Sequence, residues 1–185
     1  MRFQGLLLCL TLLLGGCNRV YSHQPLFHDA TGLPAIRTGN WRAIDPDPTT
    51  DPSDGRILIR PGGRLLIIDE DGSRTQLRLF PGDPLILQTR ASKARGGPGY
   101  FYYGVRIHAR NALGQATRLS FWPVDCGPPP PTVPDGAPQQ WVTAAPYPGL
   151  LPDGDNCLAW APEAVRNAAR ASERQEEATD LVWKP

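Results

Sequence analysis

The sequence lacks the surplus of positive charge that a nucleic-acid-binding protein carries. Lysine and arginine together number 19 against 18 aspartates and glutamates, which gives a formal net charge of +1 at pH 7. There is also no block of consecutive basic residues. Because binding to nucleic acid depends on clustered lysine and arginine that neutralise phosphates, we expect no nucleic-acid partner.

The residue patterns of the common catalytic and metal sites are also missing. No GxSxG, SxxK, HExxH or CxxC segment occurs, and the glycine-rich run at 95–99 lacks the lysine of a phosphate-binding loop. His23, His28 and Asp29 stand close together, but they lack a third ligand at metal-binding spacing. The sequence therefore predicts no metal and no cofactor, and any catalytic site would have to be assembled by the fold.

The N-terminus has the layout of an export signal. Arg2 precedes a leucine-rich run from Leu6 to Leu14, which is too short to span a bilayer, and the small residues Gly15 and Gly16 follow. We therefore expect residues 1–16 to be a signal peptide that is removed from the mature protein.

The end of this segment, Leu14-Gly15-Gly16-Cys17, resembles the lipobox of bacterial lipoproteins: an aliphatic residue, two small residues and a cysteine. The resemblance implies that Cys17 becomes the acylated first residue of the mature protein, anchored by palmitate-type chains. Asn18 is not the aspartate associated with inner-membrane retention, so we expect the outer membrane, with the domain facing the periplasm. The alternative is an ordinary secretory signal with a chance cysteine near its end.

The other cysteines indicate the redox state of the mature protein. The chain contains 4 cysteines. Cys9 leaves with the signal peptide and Cys17 carries the lipid, so Cys126 and Cys157 remain as a pair. In an oxidising periplasm such a pair is best explained by one disulfide. The bond would tie the proline-rich stretch 123–152 to the rest of the domain; the alternative is two buried thiols.

Hydrophobic patterning predicts a mainly β protein, an antiparallel meander that forms a small sandwich or barrel with one C-terminal α-helix. Residues 17–55 form a tether and irregular lead-in, and residues 56–185 a β-rich domain. Within that domain, 123–152 is a proline-rich loop and a helix lies near 162–178, with Pro162 at its first position. The predicted strands are 56–60, 64–69, 74–80, 84–89, 100–109 and 116–122, with a final edge strand near 181–183.

Residue alternation in two of these strands separates an apolar face from one rich in aromatic residues and arginine. The second face is a possible ligand face formed by Tyr100, Tyr102, Arg106, His108, Arg118 and Trp122. Aromatic rings and guanidinium groups suit a glycan, a lipid headgroup or a partner protein. The alternative is that the helix or the proline-rich segment covers this face, so that its aromatic residues belong to a second core.

Together these patterns predict a lipid-anchored cell-envelope protein with a binding or structural role. Its expected partners are the membrane, through the anchor, and an envelope protein or glycan. The alternative is a periplasmic hydrolase that acts on an envelope substrate, for which His108 and Ser120 are one pair of side chains that neighbouring strands can bring together.

Overall fold

The computed structural model describes residues 18–44, 52–90, 99–128, 145–173 and 178–185. The predicted signal peptide, the predicted lipidation residue Cys17 and most of the proline-rich loop lie outside these residues. In the described part of the chain, the prediction of a mainly β fold with one C-terminal helix is confirmed.

The described residues form eleven strands and one helix. The strands are β1 (Val20–Ser22), β2 (Gly39–Ile44), β3 (Ser53–Arg60), β4 (Arg64–Asp69), β5 (Arg74–Phe80), β6 (Leu85–Arg90), β7 (Tyr100–Arg110), β8 (Ala116–Pro123), β9 (Leu150–Asp153), β10 (Asn156–Ala159) and β11 (Thr179–Trp183). The helix α1 spans Pro162–Ser172.

Eight of the strands close into an antiparallel barrel. Strands β2 to β8 pair in chain order, each antiparallel to the next. Strand β11 then pairs with both β8 and β2, so the sheet meets itself. The tail strand is therefore not the predicted edge strand, because it joins the two ends of the meander and removes their free edges.

The N-terminal lead-in is more ordered than the sequence suggests. It supplies β1 and β2, and β3 begins at Ser53, inside the stretch that reads as a turn-rich linker. Strand β1 pairs antiparallel with the start of β7 and parallel with β10, which forms a hairpin with β9. The lead-in thus links the barrel to a small three-stranded extension, β1-β10-β9.

The two faces of the barrel wall belong to two separate hydrophobic clusters. The inner cluster fills part of the barrel and consists of Trp41, Ile57, Leu65, Leu77, Leu79, Leu85, Val105 and Leu119. The outer cluster lies under α1, the lead-in and β10, and it includes Val20, Phe27, Phe80, Ile86, Tyr102, Val124, Val165 and Ala168. Alternating residues therefore pack on both sides of the same strands.

Helix α1 begins as the sequence predicts and ends earlier. Pro162 lies in its first turn together with Glu163, and the buried face is made of small residues, including Ala168 and Ala169. The helix ends at Ser172, whereas the predicted helix extends to residue 178. Small side chains let α1 approach the barrel closely, which places its backbone within hydrogen-bond distance of β8.

Candidate functional site: the apolar interior of the barrel

The side chains of the barrel do not fill its interior. An apolar space of about 710 Å³, counted together with its opening to solvent, remains between the inner faces of the strands. About 80 Å³ of it can hold the centre of a water-sized sphere, compared with the 10–15 Å³ or so that one water molecule needs. The space, called the lumen below, is therefore larger than a single water molecule needs.

The wall of the lumen is almost entirely hydrocarbon. It is lined by Ile36, Ile57, Leu65, Ile67, Thr75, Leu77, Leu79, Leu87, Thr89, Tyr103, Val105, Leu119, Phe121 and Leu181. These residues come from β3 to β8, from β11 and from the lead-in, so no single strand forms the site. An eight-stranded barrel is wide enough either to be filled by its own side chains or to hold one small ligand. This barrel leaves room for a ligand.

The end of the barrel where β4 finishes and β5 begins is called the upper end below. On β4, Leu65 is buried and Ile67, one step closer to this end, is half-buried. The same change occurs on β8 from Leu119 to Phe121 and on β5 from Leu77 to Thr75. The other strands do not follow this change. Ile59 of β3, at the opposite end, is more exposed than Ile57, and Thr89 of β6 is buried although it lies closer to the upper end than Leu87. Partly exposed inward-facing side chains therefore occur at both ends of the barrel.

The lead-in lies across the lower end of the barrel. Ile36 forms a bridge with Ala116 at the start of β8 and also lines the lumen. Leu33 packs at the β3–β4 turn against Gly63, where a Cβ atom would lie 2.7 Å from Leu33 Cδ1 and 2.4 Å from a backbone oxygen. Gly63 also has a φ of 70°, a conformation that favours glycine. The glycine therefore lets the lead-in pack tightly across this end.

A carboxyl group lies on the inner face of β4 at the upper end of the barrel. Asp69 follows Leu65 and Ile67 on β4 at alternate positions, which places it on the inner face, and it is 5% exposed. Its Oδ2 accepts a hydrogen bond of 2.7 Å from the Ser73 hydroxyl, whereas its Oδ1 is buried without a partner. Burial raises the pKa of Asp69. The upper end of the barrel therefore holds one buried hydrogen-bond acceptor without a partner.

The structure does not gather the six residues of the possible ligand face into one open surface. Tyr102 and Trp122 are buried, at 2% and 1% exposure. The Trp122 indole donates a hydrogen bond of 2.8 Å to the carbonyl of Ala169 in α1. The hydroxyl groups of Tyr102 and Ser22 lie 2.5 Å apart, and burial raises the pKa of Tyr102 to about 12. Both rings are therefore covered. Helix α1 covers Trp122, as the alternative in the sequence analysis expects, and the lead-in contacts Tyr102.

The remaining residues of that face have local partners or lie apart from one another. The Arg106 guanidinium forms a two-point ion pair with Glu173 at the end of α1 and a further one with Asp83 at 3.1 Å. Arg118 pairs with Asp180 of β11. Tyr100 is half-buried, and it lies at the start of β7. Arg106 is thus better described as a link between barrel and helix than as a ligand-binding group.

Ser120 and His108 do meet on the outer wall of the barrel. His108 Nε2 and Ser120 Oγ are 2.8 Å apart across the β7–β8 pair. In the described residues no carboxylate hydrogen-bonds to His108, and no group of three or more histidine, cysteine, aspartate or glutamate side chains is arranged to hold a metal ion. The pair therefore supplies two members of a nucleophilic site and lacks the group that would orient the histidine.

The predicted disulfide partners lie side by side, next to the first two described residues of the chain. The Cys126 amide donates to the Asn18 carbonyl at 2.8 Å and the Cys157 amide donates to the Arg19 carbonyl at 2.9 Å. Both side chains are buried thiols that interact with each other, and burial raises the pKa of each thiol. The disulfide stays a prediction, for which this proximity is the structural support. A raised pKa makes either thiol a poor nucleophile.

The lumen is the feature that sequence reasoning missed. Alternation in β4, β5 and β8 indicates an apolar inner face, but the volume that eight such faces leave unfilled depends on how the strands close.

Within the described ranges, no helix has the length and apolarity needed to cross a bilayer. No protein-family model matches the chain, and comparisons with curated proteins and with solved structures likewise found no match.

Proposed function

We propose that this is a lipid-anchored cell-envelope protein that binds one slender apolar ligand, such as an alkyl or acyl chain, in the lumen of its barrel. The observation that carries the proposal is the apolar space inside a closed eight-stranded barrel. We take the upper end of the barrel, where the Asp69 carboxyl lies, as the mouth of the lumen. The lipobox-like segment at Cys17 supports the anchor and the envelope location.

The chemistry of the wall determines what can bind. Each methylene group transferred from water into such a space contributes about 0.8 kcal/mol. A chain that buries roughly eight methylenes would gain about 6 kcal/mol, which corresponds to a Kd in the tens of micromolar. Affinity should therefore rise with chain length until the lumen is full and then level off.

The carboxyl at the mouth favours one kind of head group. Asp69 Oδ1 accepts hydrogen bonds and, when ionised, repels another carboxylate. We therefore expect a chain that ends in a hydroxyl, an amide or an ammonium group to bind more tightly than the corresponding fatty acid.

A matched pair of variants tests the proposal. Ile67 lines the lumen, and Ile68, its neighbour on β4, lies on the opposite side of the barrel wall. Ile67→Trp fills part of the lumen, whereas Ile68→Trp makes the same chemical change outside it. We expect Ile67→Trp to weaken binding of a long-chain alcohol by about tenfold or more, since several methylenes lose their place, and Ile68→Trp to bind like the wild type.

The measurement is displacement of a polarity-sensitive fluorescent probe by an alcohol, an amine and a carboxylate of equal chain length. Circular dichroism of both variants checks that the fold is retained. If Ile67→Trp and Ile68→Trp bind with the same affinity as the wild type, or if no chain length binds, the lumen is not a ligand site and the proposal fails.

The contact between His108 and Ser120 favours the second candidate function, a periplasmic hydrolase. In that case His108 would remove the proton of the Ser120 hydroxyl as it attacks an ester or amide carbon. Ser120 is 6% exposed, which limits access of a substrate to its oxygen. A fluorophosphonate probe tests this candidate: labelling of the wild type that is lost in Ser120→Ala would support it, and an unlabelled wild type would exclude a reactive serine.

A further inference from the structure

Four arginines surround a shallow depression on the outer wall of the barrel, on the far side of the strand wall from the lumen. They are Arg60 of β3, Arg64 of β4, Arg78 of β5 and Arg90 of β6, and they are called the arginine patch below. Gln76, Gln88 and Tyr100 also line the depression. Three of the arginines are exposed and Arg78 is half-buried.

The strand register places these like charges directly against one another. Arg60 is the cross-strand partner of Arg64, and Arg64 is in turn the partner of Arg78. Like charges at directly opposed positions of an antiparallel pair destabilise the sheet. Three successive strands therefore carry a repulsion that the fold itself does not require, since polar uncharged residues such as Gln76 occupy neighbouring outward positions on the same wall.

No carboxylate in the described part of the chain neutralises the patch. None of its four arginines forms an ion pair there. Asp54, on the same strand as Arg60, pairs with Arg42 and Lys184 instead. Arg78 donates one hydrogen bond of 3.3 Å to the His28 carbonyl, while its Nε is buried and has no acceptor.

We propose that the arginine patch binds a phosphate group. Each guanidinium presents a planar fork of donors that matches two phosphate oxygens, and such charge-assisted hydrogen bonds are about twice as strong as neutral ones. A single carboxylate has too few oxygens for four guanidinium groups, whereas a phosphate offers more acceptors and more charge. Tyr100 and the two glutamines add neutral donors at the edge.

The phosphate can come from free inorganic phosphate or from the headgroup of a phosphorylated lipid, and both present the same oxygens to the arginines. Binding on the outer wall is independent of the lumen. The Ile67→Trp variant should therefore leave phosphate binding unchanged, so that failure of one proposal is distinguishable from failure of the other.

The test uses the full chain in detergent and isothermal titration calorimetry at low salt. Two probes are titrated separately: inorganic phosphate, and a short-chain phosphatidic acid below its micelle concentration. The patch variant is Arg60→Gln with Arg64→Gln. The matched control is Arg110→Gln with Arg170→Gln, which removes the same charge from exposed positions outside the patch.

We expect the patch variant to bind about tenfold or more weakly, because two charge-assisted contacts are lost, and the control to stay within about twofold of the wild type. Binding of both probes identifies phosphate itself as the ligand, and binding of phosphatidic acid alone identifies the lipid headgroup. If neither probe binds the wild type, or if the patch variant and the control lose affinity equally, the proposal is wrong.

Thermal unfolding supplies a second readout that does not depend on calorimetric heat. Without phosphate, the patch variant should unfold at the same temperature as the wild type or at a higher one, because a cross-strand repulsion has been removed. Added phosphate should raise the unfolding temperature of the wild type and the control, and leave that of the patch variant unchanged. A uniform shift in all three proteins would contradict a site at the patch.

Discussion

Replacing Gly104 with alanine should disturb the contact between the barrel and helix α1 and destabilise the protein. Gly104 lies on β7 directly opposite Trp122 on β8. A Cβ atom at Gly104 would be 2.3 Å from Cε2, 2.4 Å from Cζ2 and 2.6 Å from Nε1 of the Trp122 indole. Since carbon atoms in contact are about 3.5 Å apart or more, the ring must move by at least about 1 Å.

The indole has little room to make that movement. Trp122 is 1% exposed, and Ala168 and Ala169 of α1 are fully buried. Moving the ring also breaks its hydrogen bond to the Ala169 carbonyl. Overpacking costs about 1–3 kcal/mol and the lost bond about 1 kcal/mol more. We therefore expect Gly104→Ala to lower the free energy of unfolding by about 2–4 kcal/mol, a fall in Tm of roughly 5–15 °C.

A double-mutant cycle tests whether this loss of stability comes from the contact between position 104 and the Trp122 indole. Trp122→Phe removes the ring atoms that crowd position 104, so Gly104→Ala should cost less in that background, by about 1–3 kcal/mol. Urea unfolding followed by circular dichroism measures all four proteins. The reasoning would be refuted if Gly104→Ala left the stability unchanged, or if it cost the same with phenylalanine at 122 as with tryptophan.

Three further predictions concern the anchor, the cysteine pair and the mouth of the lumen. Cys17→Ser should abolish labelling of the protein by a fatty-acid probe in cells; unchanged labelling would contradict the lipoprotein prediction. In exported protein, Cys126 and Cys157 should resist alkylation until a reductant is added, and replacing both with serine should cost about 3 kcal/mol of stability; mass spectrometry that finds either thiol alkylated beforehand would exclude the disulfide. Burial raises the pKa of Asp69, so this carboxyl binds a proton more readily in the folded protein than in the unfolded chain. The free energy of unfolding should therefore fall as the pH rises through the raised pKa. Asp69→Asn should remove the contribution of this carboxyl to the pH dependence of stability. Identical pH profiles of unfolding for the variant and the wild type would contradict this prediction.

The sequence alone predicts the local elements well, because their signals are local. Alternation of apolar and polar residues marks β5, β7 and β8, and turn residues separate the strands of the meander. Pro162 marks the first turn of α1, since a proline there gives up no helical hydrogen bond. These features depend on residues a few positions apart, and the structure confirms the mainly β fold that they predict.

The pairing of distant segments is decided by the tertiary structure. The residues of β11 read as an edge strand, and only their pairing with both β2 and β8 closes the barrel. Closure determines which face of each strand points inward and how much space the inner side chains leave. The lumen therefore depends on the sum of many packing distances, and no short segment carries a signal for it.

The possible ligand face, on the outside of the barrel, is a second feature that the sequence alone leaves undecided. Alternation places Tyr102 and Trp122 on one face of their strands, and the sequence leaves open whether that face meets water or protein. The answer depends on α1, which begins forty residues after Trp122, and on the lead-in, whose Ser22 contacts Tyr102. By itself the sequence determines the strands, their turns and the two chemically distinct faces, because these follow from neighbouring residues. Only long-range packing decides which face encloses the lumen, which face lies under the helix, and where the arginines are left uncovered.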